Sequence, residues 1–306
     1  MLKLALRRIA ALIPTLLIIV TVSFAIIRLA PGGPFDAEQG ISPAVRANLE
    51  RLYGLDAPMP VQYLRYLQAL AHGDFGPSLR QRDFTVNELI RQGLPLSAAL
   101  GLCAIALALL TGIPAGIAAA LWRSGAADVS VAVAGALGVA LPSFVVGPLL
   151  ALVFGVYLRW LPVAGWQPGA ARYLVLPVVT LALPLAVALA RLTRASLLEV
   201  LRAPFVRSAR ARGLGEGRVV WRHALRPALL PVVNYLGPAT AFVVTGSLVV
   251  EAVFGLPGTG RYLVQGAIDR DYPLVMGMVI VYAALTLLLN LFADLVCGWL
   301  EPGDAS

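Results

Sequence analysis

Six long apolar segments dominate the chain, and segments rich in charged residues, proline and glycine separate most of them. Each is long enough to cross a hydrocarbon layer of about 30 Å, which takes roughly 20 helical residues. The pattern therefore predicts an all-α membrane protein with six transmembrane helices. The predicted spans cover residues 9–29, 96–121, 129–157, 173–192, 228–250 and 274–300.

The segments between these spans suggest four regions. We expect an N-terminal transmembrane helix (1–30), an extracytoplasmic segment with short helices (31–94), a core of five transmembrane helices (95–300) and a C-terminal tail (301–306). A basic cytoplasmic loop, at about 193–227, lies within the core region. The first span resembles a secretory signal, but no small-residue cleavage site follows it, so it is interpreted as a retained helix.

The amino-acid composition supports a membrane protein and argues against a soluble globular protein. Hydrophobic residues make up 59% of the chain and charged residues 13%, whereas soluble domains contain about 25% charged residues. The net charge of +8 could suggest nucleic-acid binding, but its distribution indicates membrane topology instead. With the N-terminus inside, the cytoplasmic side is strongly basic and the outer side almost neutral, as the positive-inside rule requires. Both termini are therefore predicted to be cytoplasmic, with no nucleic-acid partner.

The predicted outer segment contains local helix signals. Ser42 before Pro43 is a favoured helix start, and Thr85 with Glu88 fits a capping box. Tyr63 and Tyr66 recur at helical spacing. Two interpretations stay open for this segment, a contact surface for an external partner and an ordered extracellular cap.

The chain lacks the residues that common catalytic sites need. A phosphate-binding loop requires a lysine after its glycines, and Lys3 is the only lysine of the sequence, so the glycine-rich run 213–217 is interpreted as a hinge. Cys103 and Cys297 are predicted near opposite membrane faces, where no disulfide would form. No metal, cofactor or catalytic site is expected, and a membrane-bound enzyme remains a minor alternative.

An ionisable residue inside a span is the usual mark of ion-coupled transport. Asp294 is the clearest example here, with Asn290 one turn earlier on the same face. It could be a coupling-ion ligand, which would favour an ion-coupled carrier that acts alone. It could equally be a polar contact with a neighbouring helix.

The stretch 199–231, which overlaps the basic cytoplasmic loop and is called the basic loop below, has a sequence suited to docking. Pro204 is placed to begin a short helix and Gly213 to end it. Phe205 and Ala209 share one helix face, and the small residues Ala209 and Ala211 permit close approach of a partner. Its arginines, and those just before it, offer charge-assisted bonds to a partner or to lipid phosphates. They are Arg191, Arg194, Arg202, Arg207, Arg210, Arg212, Arg218, Arg222 and Arg226. The alternative is a simple positive-inside anchor.

Several sequence blocks together resemble the inner-membrane permease subunits of peptide ABC importers, over nearly the whole chain. Besides the run from Ala209 to Gly213 with His223 to Leu225, the matching blocks lie at 28–32, 72–78, 141–144, 160–162, 251–260, 267–273, 290–291 and 294–295. The combination is most similar to the first permease of an oligopeptide importer, with the dipeptide and nickel branches as alternatives.

This resemblance implies the type I ABC importer transmembrane fold, in a bacterial cytoplasmic membrane. It implies a second homologous permease, two cytoplasmic ATPase subunits and an extracytoplasmic peptide-binding protein as partners, with membrane lipid around them. The ATPase-docking residues it implies are Phe205, Arg207, Ala209, Arg210, Ala211, Gly213 and Leu214. The family often ends in basic residues after an aspartate-proline pair, and the ending Glu301-Pro302-Gly303 departs from that pattern.

Overall fold

Helices account for most of the chain in the computed structural model, which describes residues 2–29, 43–52, 54–81, 83–123, 125–140 and 142–300. In these residues a single β-bridge, Pro77 to Thr85, is present and no strand, so the all-α class is confirmed. In chain order the helices are α1 (Leu2–Leu29), α2 (Pro43–Leu52), α3 (Met59–Ala71), α4 (Val86–Leu121), α5 (Ala126–Ala140), α6 (Ser143–Leu150), α7 (Arg172–Val200), α8 (Pro204–Ala211), α9 (Glu216–Arg218), α10 (Leu225–Phe254), α11 (Thr259–Ile268) and α12 (Tyr272–Leu300). Helical π turns at Ala151–Tyr157 and Val219–Ala224 continue α6 and join α9 to α10.

The predicted spans correspond to helices, with one difference in the third. Four helical stretches are long and apolar enough to cross a membrane, namely 10–29, 86–121, 172–200 and 272–295, and α10 covers the fifth predicted span. The third predicted span, 129–157, is instead divided between α5 and α6. Pro142 lies between them with an extended backbone, φ −62° and ψ 147°. Proline also has no N–H that could bond to the preceding helical turn. The third predicted span is thus helical but interrupted at Pro142.

Helices α4 and α7 form the closest helix contact of the bundle. A Cβ atom added to Gly112 would lie 2.5 Å from the Ala186 carbonyl oxygen, and one added to Gly116 would lie 2.5 Å from the Ala190 carbonyl oxygen. Small residues at this spacing let two membrane helices approach until their backbones touch, which maximises van der Waals contact where lipid supplies no hydrophobic driving force. The two helices are therefore fixed side by side along their length.

Two ends of the bundle are distinguished by their loops. The basic end carries residues 199–231, where α7 finishes and α10 begins, and the opposite end carries α2, α3 and α11. Thr85 at the start of α4 accepts a hydrogen bond from the Glu88 N–H, and the Glu88 carboxylate accepts one from the Thr85 N–H at 2.8 Å. The predicted capping box is thus confirmed, whereas Ser42 lies outside the described residues.

A buried polar network joins four helices at the opposite end. Glu251 near the end of α10 is 0% exposed, and its Oε2 accepts a hydrogen bond of 2.8 Å from the Gly260 N–H at the start of α11. Ser97 of α4 accepts a bond of 2.9 Å from the Thr259 N–H, and the Thr259 hydroxyl lies 3.1 Å from the Tyr282 hydroxyl of α12. A buried carboxylate needs such donors, so the network holds these helix ends together.

The segment between α3 and α4 is attached to the bundle rather than separate from it. Asp271, buried just before α12, accepts hydrogen bonds from the Leu79 N–H at 3.1 Å and the Arg80 N–H at 3.2 Å, as well as from the Ser78 hydroxyl. The loop after α3 is thereby tied to the start of α12.

The α4–α7 contact predicts a large difference between two glycine-to-alanine substitutions in one helix. Gly116→Ala forces the backbones apart and should destabilise the protein by roughly 1–3 kcal/mol, the range for overpacked cores. Gly101→Ala is the matched control, because its added Cβ would lie 3.6 Å from Val243, an ordinary contact distance. Thermal unfolding in mild detergent measures both. Equal melting temperatures for the two variants would contradict the close contact.

Candidate functional site

The basic loop folds as its sequence predicts at both ends of its short helix. Helix α8 begins at Pro204, and proline suits a first helical position because the N–H it lacks would have no intrahelical partner. After Ala211 the chain turns at Gly213, whose φ is +78°. The Gly213 N–H donates to the Arg210 carbonyl at 2.9 Å and the Leu214 N–H to the Ala209 carbonyl at 3.4 Å. This bonding is a Schellman motif, which closes a helix end with a left-handed glycine.

One face of α8 packs on the bundle. Val206 is 0% exposed, and Ala209 one turn later is also buried. Both belong to a hydrophobic cluster at the basic end, to which α4, α7 and α10 all contribute. Besides Val206 and Ala209, the buried members of this cluster are Ile117, Ala120, Leu197, Val219, Ala224 and Ala228. The short helix is thus anchored to the ends of three long helices.

The structure places Phe205 and Ala209, two of the residues predicted for docking, in different surroundings. Phe205 and Ala209 are one turn apart, as expected, but Phe205 is 49% exposed while Ala209 faces the protein interior. With about 100° between successive helical residues, the face directly opposite Val206 and Ala209 consists of Pro204, Ser208 and Ala211. All three are exposed. Ser208, which is not among the residues predicted for docking, lies on this exposed face.

The exposed face is flanked by charged and aromatic side chains. Arg207 lies on one side of it, and Phe205 and Arg212 lie on the other, all exposed to solvent. A face of small residues bordered by an aromatic ring and two guanidinium groups allows close backbone approach and offers charge-assisted hydrogen bonds at its edges. Five of the residues predicted for docking remain exposed, namely Phe205, Arg207, Arg210, Ala211 and Gly213, whereas Leu214 is half-buried.

Arg210 has a partner within the loop itself. Its Nε donates to Glu216 Oε1 at 2.7 Å and its Nη2 to Oε2 at 3.1 Å, so the guanidinium and the carboxylate form a two-pronged pair. The hydrogen bond and the charge of Arg210 hold the pKa of Glu216 below its usual value. Arg210, which was predicted to offer charge-assisted bonds to a partner, is thus already paired across the turn between α8 and α9.

The remaining arginines of the loop lie on its solvent side. Arg218, Arg222 and Arg226 are exposed, as predicted, while Val219, Val220 and Ala224 between them are buried. A π turn at this point lets the chain pass from α9 into α10 with its apolar residues facing inward. The arginine stems are positioned to lie along the membrane surface with their charged groups in water.

A large open cavity lies between α5, α7 and α10 near the basic end. Its volume is about 780 Å³, and its lining includes Arg191, Arg194 and Tyr235. Arg194 is paired with Asp128 of α5, so its charge is balanced, while Arg191 lies exposed at the wall. Such a cavity offers room for a polar molecule much larger than an ion.

Asp294, the candidate ion ligand, is half-buried on α12 and already engaged in an interaction. Asn290 one turn earlier packs against α10, because its Oδ1 would lie 2.9 Å from a Cβ added to Gly237. These positions favour the structural interpretation of the pair, a polar contact between neighbouring helices. In the described residues no group of three or more metal-ligating side chains was found.

The comparisons with known proteins agree on one family. Residues 112–303 match the family described as binding-protein-dependent transport system inner membrane component, and residues 1–84 match its N-terminal region. The chain is 48% identical to the oligopeptide transport system permease protein OppB of Salmonella typhimurium and 47% identical to OppB of Escherichia coli K12, with 99% of each chain covered. It is 39% identical to the dipeptide transport system permease protein DppB of Bacillus subtilis, over 97% of this chain and 96% of that protein.

A solved structure confirms the fold. The methionine ABC transporter MetNI, in an inward-facing conformation, superimposes with a TM-score of 0.56 at 18% identity. The match covers 70% of this chain and 96% of the MetNI chain. The expected fold, that of a type I ABC importer transmembrane domain, is therefore confirmed.

The Schellman turn predicts that position 213 tolerates a side chain far less well than position 215. A left-handed backbone costs roughly 1–2 kcal/mol for a residue with a Cβ, so Gly213→Val should open the turn and speed trypsin cleavage after Arg212. Gly215→Val is the control, because Gly215 has φ −64° and also has no atom within 4 Å of an added Cβ. Limited trypsin digestion followed by mass spectrometry measures the rate of cleavage. Equal rates for the two variants would argue against the turn.

The Arg210–Glu216 pair predicts a defined pH dependence of loop order. Since the folded-state pKa of Glu216 is lowered, the pair stabilises the turn at every pH above the usual glutamate pKa. That contribution is lost as the pH falls through the lowered value. Hydrogen exchange of residues 211–218, corrected for intrinsic rates, should therefore show constant protection near neutral pH and a loss in acid. Glu216→Gln should show the lower protection at every pH, and an unchanged acid transition in this variant would refute the assignment.

Proposed function

Because the chain belongs to the binding-protein-dependent transport system inner membrane component family, we propose that it is the permease subunit that carries oligopeptides in an ATP-driven importer. Two relatives at 47–48% identity over their full length are named oligopeptide permeases, whereas the dipeptide permease relative stands at 39%. The names of the two relatives at 47–48% identity support oligopeptides as cargo. The relatives are permease proteins, and no enzymatic activity is proposed for this chain.

The anchoring of α8 is the observation that carries the coupling part of the proposal. Val206 and Ala209 hold this helix to the bundle, and its opposite face is exposed. A second protein could bind this exposed face and transmit its movement to the bundle. We assign this surface to a cytoplasmic ATPase subunit. Pro204, Ser208 and Ala211 would enter its groove, while Phe205, Arg207 and Arg212 would contact the rim.

The other residues first proposed for docking then have a different role. Ala209 fixes the helix to the core, Arg210 closes the loop through Glu216, and Gly213 with Leu214 forms the turn that ends the helix. These four shape the docking surface rather than touch the partner. The proposal thus separates residues that make contact from residues that hold the contact surface in place.

The mechanism we propose is alternating access driven by ATPases on other chains. Closure of two ATPase subunits on ATP would move α8, and its apolar anchor would pass that movement to the ends of α4, α7 and α10. A second, homologous permease would pair with this one, so that the cavity lined by Arg191 and Tyr235 faces a shared pathway. A peptide-binding protein would deliver cargo at the opposite end.

This assembly places the basic end in the cytoplasm. The N-terminus, the docking loop and the C-terminus would then all be cytoplasmic, in agreement with the positive-inside rule. The network around Glu251 and the segment held by Asp271 would face the outside, where the binding protein arrives. The membrane is the bacterial cytoplasmic membrane in this proposal.

Two neighbouring residues of α8 should separate coupling from stability. Phe205→Ala removes an exposed ring, so it should leave thermal stability unchanged but sharply reduce co-purification of the ATPase subunits and uptake of a labelled tetrapeptide. Val206→Ala removes a fully buried side chain and should destabilise the chain by about 1–2 kcal/mol.

The experiment compares wild type, Phe205→Ala and Val206→Ala after purification from intact membranes in mild detergent. Recovery of ATPase subunits with the wild type, and their loss with Phe205→Ala at unchanged melting temperature, is the expected result. Full ATPase recovery and normal uptake with Phe205→Ala would refute docking through this surface. Uptake of a labelled dipeptide in preference to the tetrapeptide would instead overturn the cargo assignment.

A further inference from the structure

A second cavity, distant from the docking loop, lies at the opposite end of the bundle. Its volume is about 280 Å³, and it is enclosed by the last turns of α1, by α3, by the loop at residues 75–79 and by the start of α12. The side chains that give it chemical character are Phe24, Arg28, Gln62, Arg65, Tyr66 and Tyr272. None of them takes part in the proposed transport mechanism.

The cavity is lined by two positive charges. The Arg28 guanidinium lies over two aromatic rings, 5.5 Å from the centroid of Phe24 and 5.7 Å from that of Tyr272. Arg65 of α3 also lines the cavity. Within the described part of the chain, neither arginine forms an ion pair or a hydrogen bond. Arginines held in a partly apolar site without a carboxylate are suited to binding an anion.

Two buried polar atoms of the lining also lack partners. Gln62 Nε2 donates to the Leu55 carbonyl at 3.0 Å and the Ala57 carbonyl at 2.7 Å, which fixes the amide and leaves Oε1 without a donor. The Tyr66 hydroxyl is buried without a hydrogen bond as well. Burial raises the pKa of Tyr66, so this hydroxyl is neutral and can donate. Buried polar atoms in native proteins normally have a partner.

The cavity lies beside the end of the apolar stretch of α1. Arg28 is one residue from the end of the apolar stretch 10–29 of α1. Helix α3 lies against that end of α1, because the Thr21 and Tyr63 hydroxyls are 2.6 Å apart and the Phe24 and Tyr63 rings are 5.3 Å apart. Met59, Val61 and Leu64 of α3 are exposed. An amphipathic helix with such a surface lies in the membrane interface.

We propose that this cavity binds the headgroup of one anionic phospholipid that carries hydroxyl groups, of the phosphatidylglycerol type. The phosphate oxygens accept hydrogen bonds from Arg28 and Arg65. A headgroup hydroxyl donates to Gln62 Oε1, and the Tyr66 hydroxyl donates to the phosphate or to the glycerol. The first carbons of the lipid lie against Phe24, Leu55 and Met276, which also line the cavity.

The chemistry discriminates between lipid headgroups. A choline headgroup has no hydrogen-bond donor for Gln62 Oε1, and its cation opposes the two arginines. A glycerol headgroup supplies both the donors and a net negative charge. In this site the arginines would form specific charge-assisted hydrogen bonds to the lipid rather than a diffuse attraction. One lipid per chain is therefore expected to remain bound when the protein is extracted from the membrane with detergent.

The test is a lipid competition followed by native mass spectrometry of the full-length chain with its co-purifying subunits. After delipidation, equal amounts of phosphatidylglycerol and phosphatidylcholine are added in mild detergent. The wild type should retain one phosphatidylglycerol in preference to phosphatidylcholine. Arg28→Gln and Arg65→Gln should each lower that retention roughly tenfold to hundredfold, as expected for loss of a charge-assisted bond.

The matched control is Arg172→Gln. Arg172 also lies near the opposite end and over a tyrosine ring, at 5.5 Å from the Tyr173 centroid, but it does not line the cavity. Its retention of phosphatidylglycerol should equal that of the wild type. An equal loss in this variant would show that the attraction depends on total charge, which would overturn the proposal.

Tyr66→Phe provides a variant that should still fold. It removes a hydroxyl without a protein partner, so the melting temperature of the lipid-free protein should stay the same or rise. Lipid retention, in contrast, should fall roughly threefold to tenfold. Unchanged retention of phosphatidylglycerol in this variant would refute the role of the hydroxyl. If the wild type also bound both lipids equally, the whole site would be refuted. Displacement of the lipid by millimolar inorganic phosphate would identify a simple anion site and overturn the lipid assignment.

Discussion

The contact between α4 and α7 is the constraint on which the rest of the molecule depends. Gly112 and Gly116 bring the two backbones together, and in a lipid environment this close packing substitutes for the hydrophobic effect that would drive association in water. It also sets the positions of Ile117 and Leu197 at the basic end, where they form one wall of the cluster that receives α8. The position of α8 at the basic end therefore depends on how α4 and α7 pack inside the bundle.

Local features of the loop could be predicted from sequence because they depend on neighbouring residues alone. Proline at the start of α8, glycine after its end and the capping box of α4 each follow from backbone chemistry within a few positions. The burial of Ala209 could not be predicted in this way. Spacing shows which residues share a helix face, but only the position of the ends of α4 and α10 decides which face turns inward. Hydropathy alone does not show the break at Pro142, because it averages over that residue.

For charged residues, too, the sequence shows their positions along the chain, whereas their partners depend on the fold. Counting arginines correctly indicated the basic end, but their partners depend on the folded chain. Arg210 is neutralised by Glu216 across a tight turn, Arg194 by Asp128 of another helix, and Arg28 rests between aromatic rings from α1 and α12. The network around Glu251 is a further case, because the Thr259 N–H of α11 donates to Ser97 of α4, 162 residues away in sequence. Sequence predicts where charge is, and the fold determines which charges remain available to other molecules.

The two anchored ends of α10 have a kinematic consequence. Its basic end is embedded in the cluster beneath α8 through Ala228, and its other end is bonded through Glu251 to the start of α11. The helix has 30 residues and is about 45 Å long, so a tilt of about 5° around its basic end displaces its other end by roughly 4 Å. The start of α11, which is bonded to that end through Glu251, would have to move with it. A small rotation at one end of the bundle therefore becomes a displacement of several ångströms at the other end.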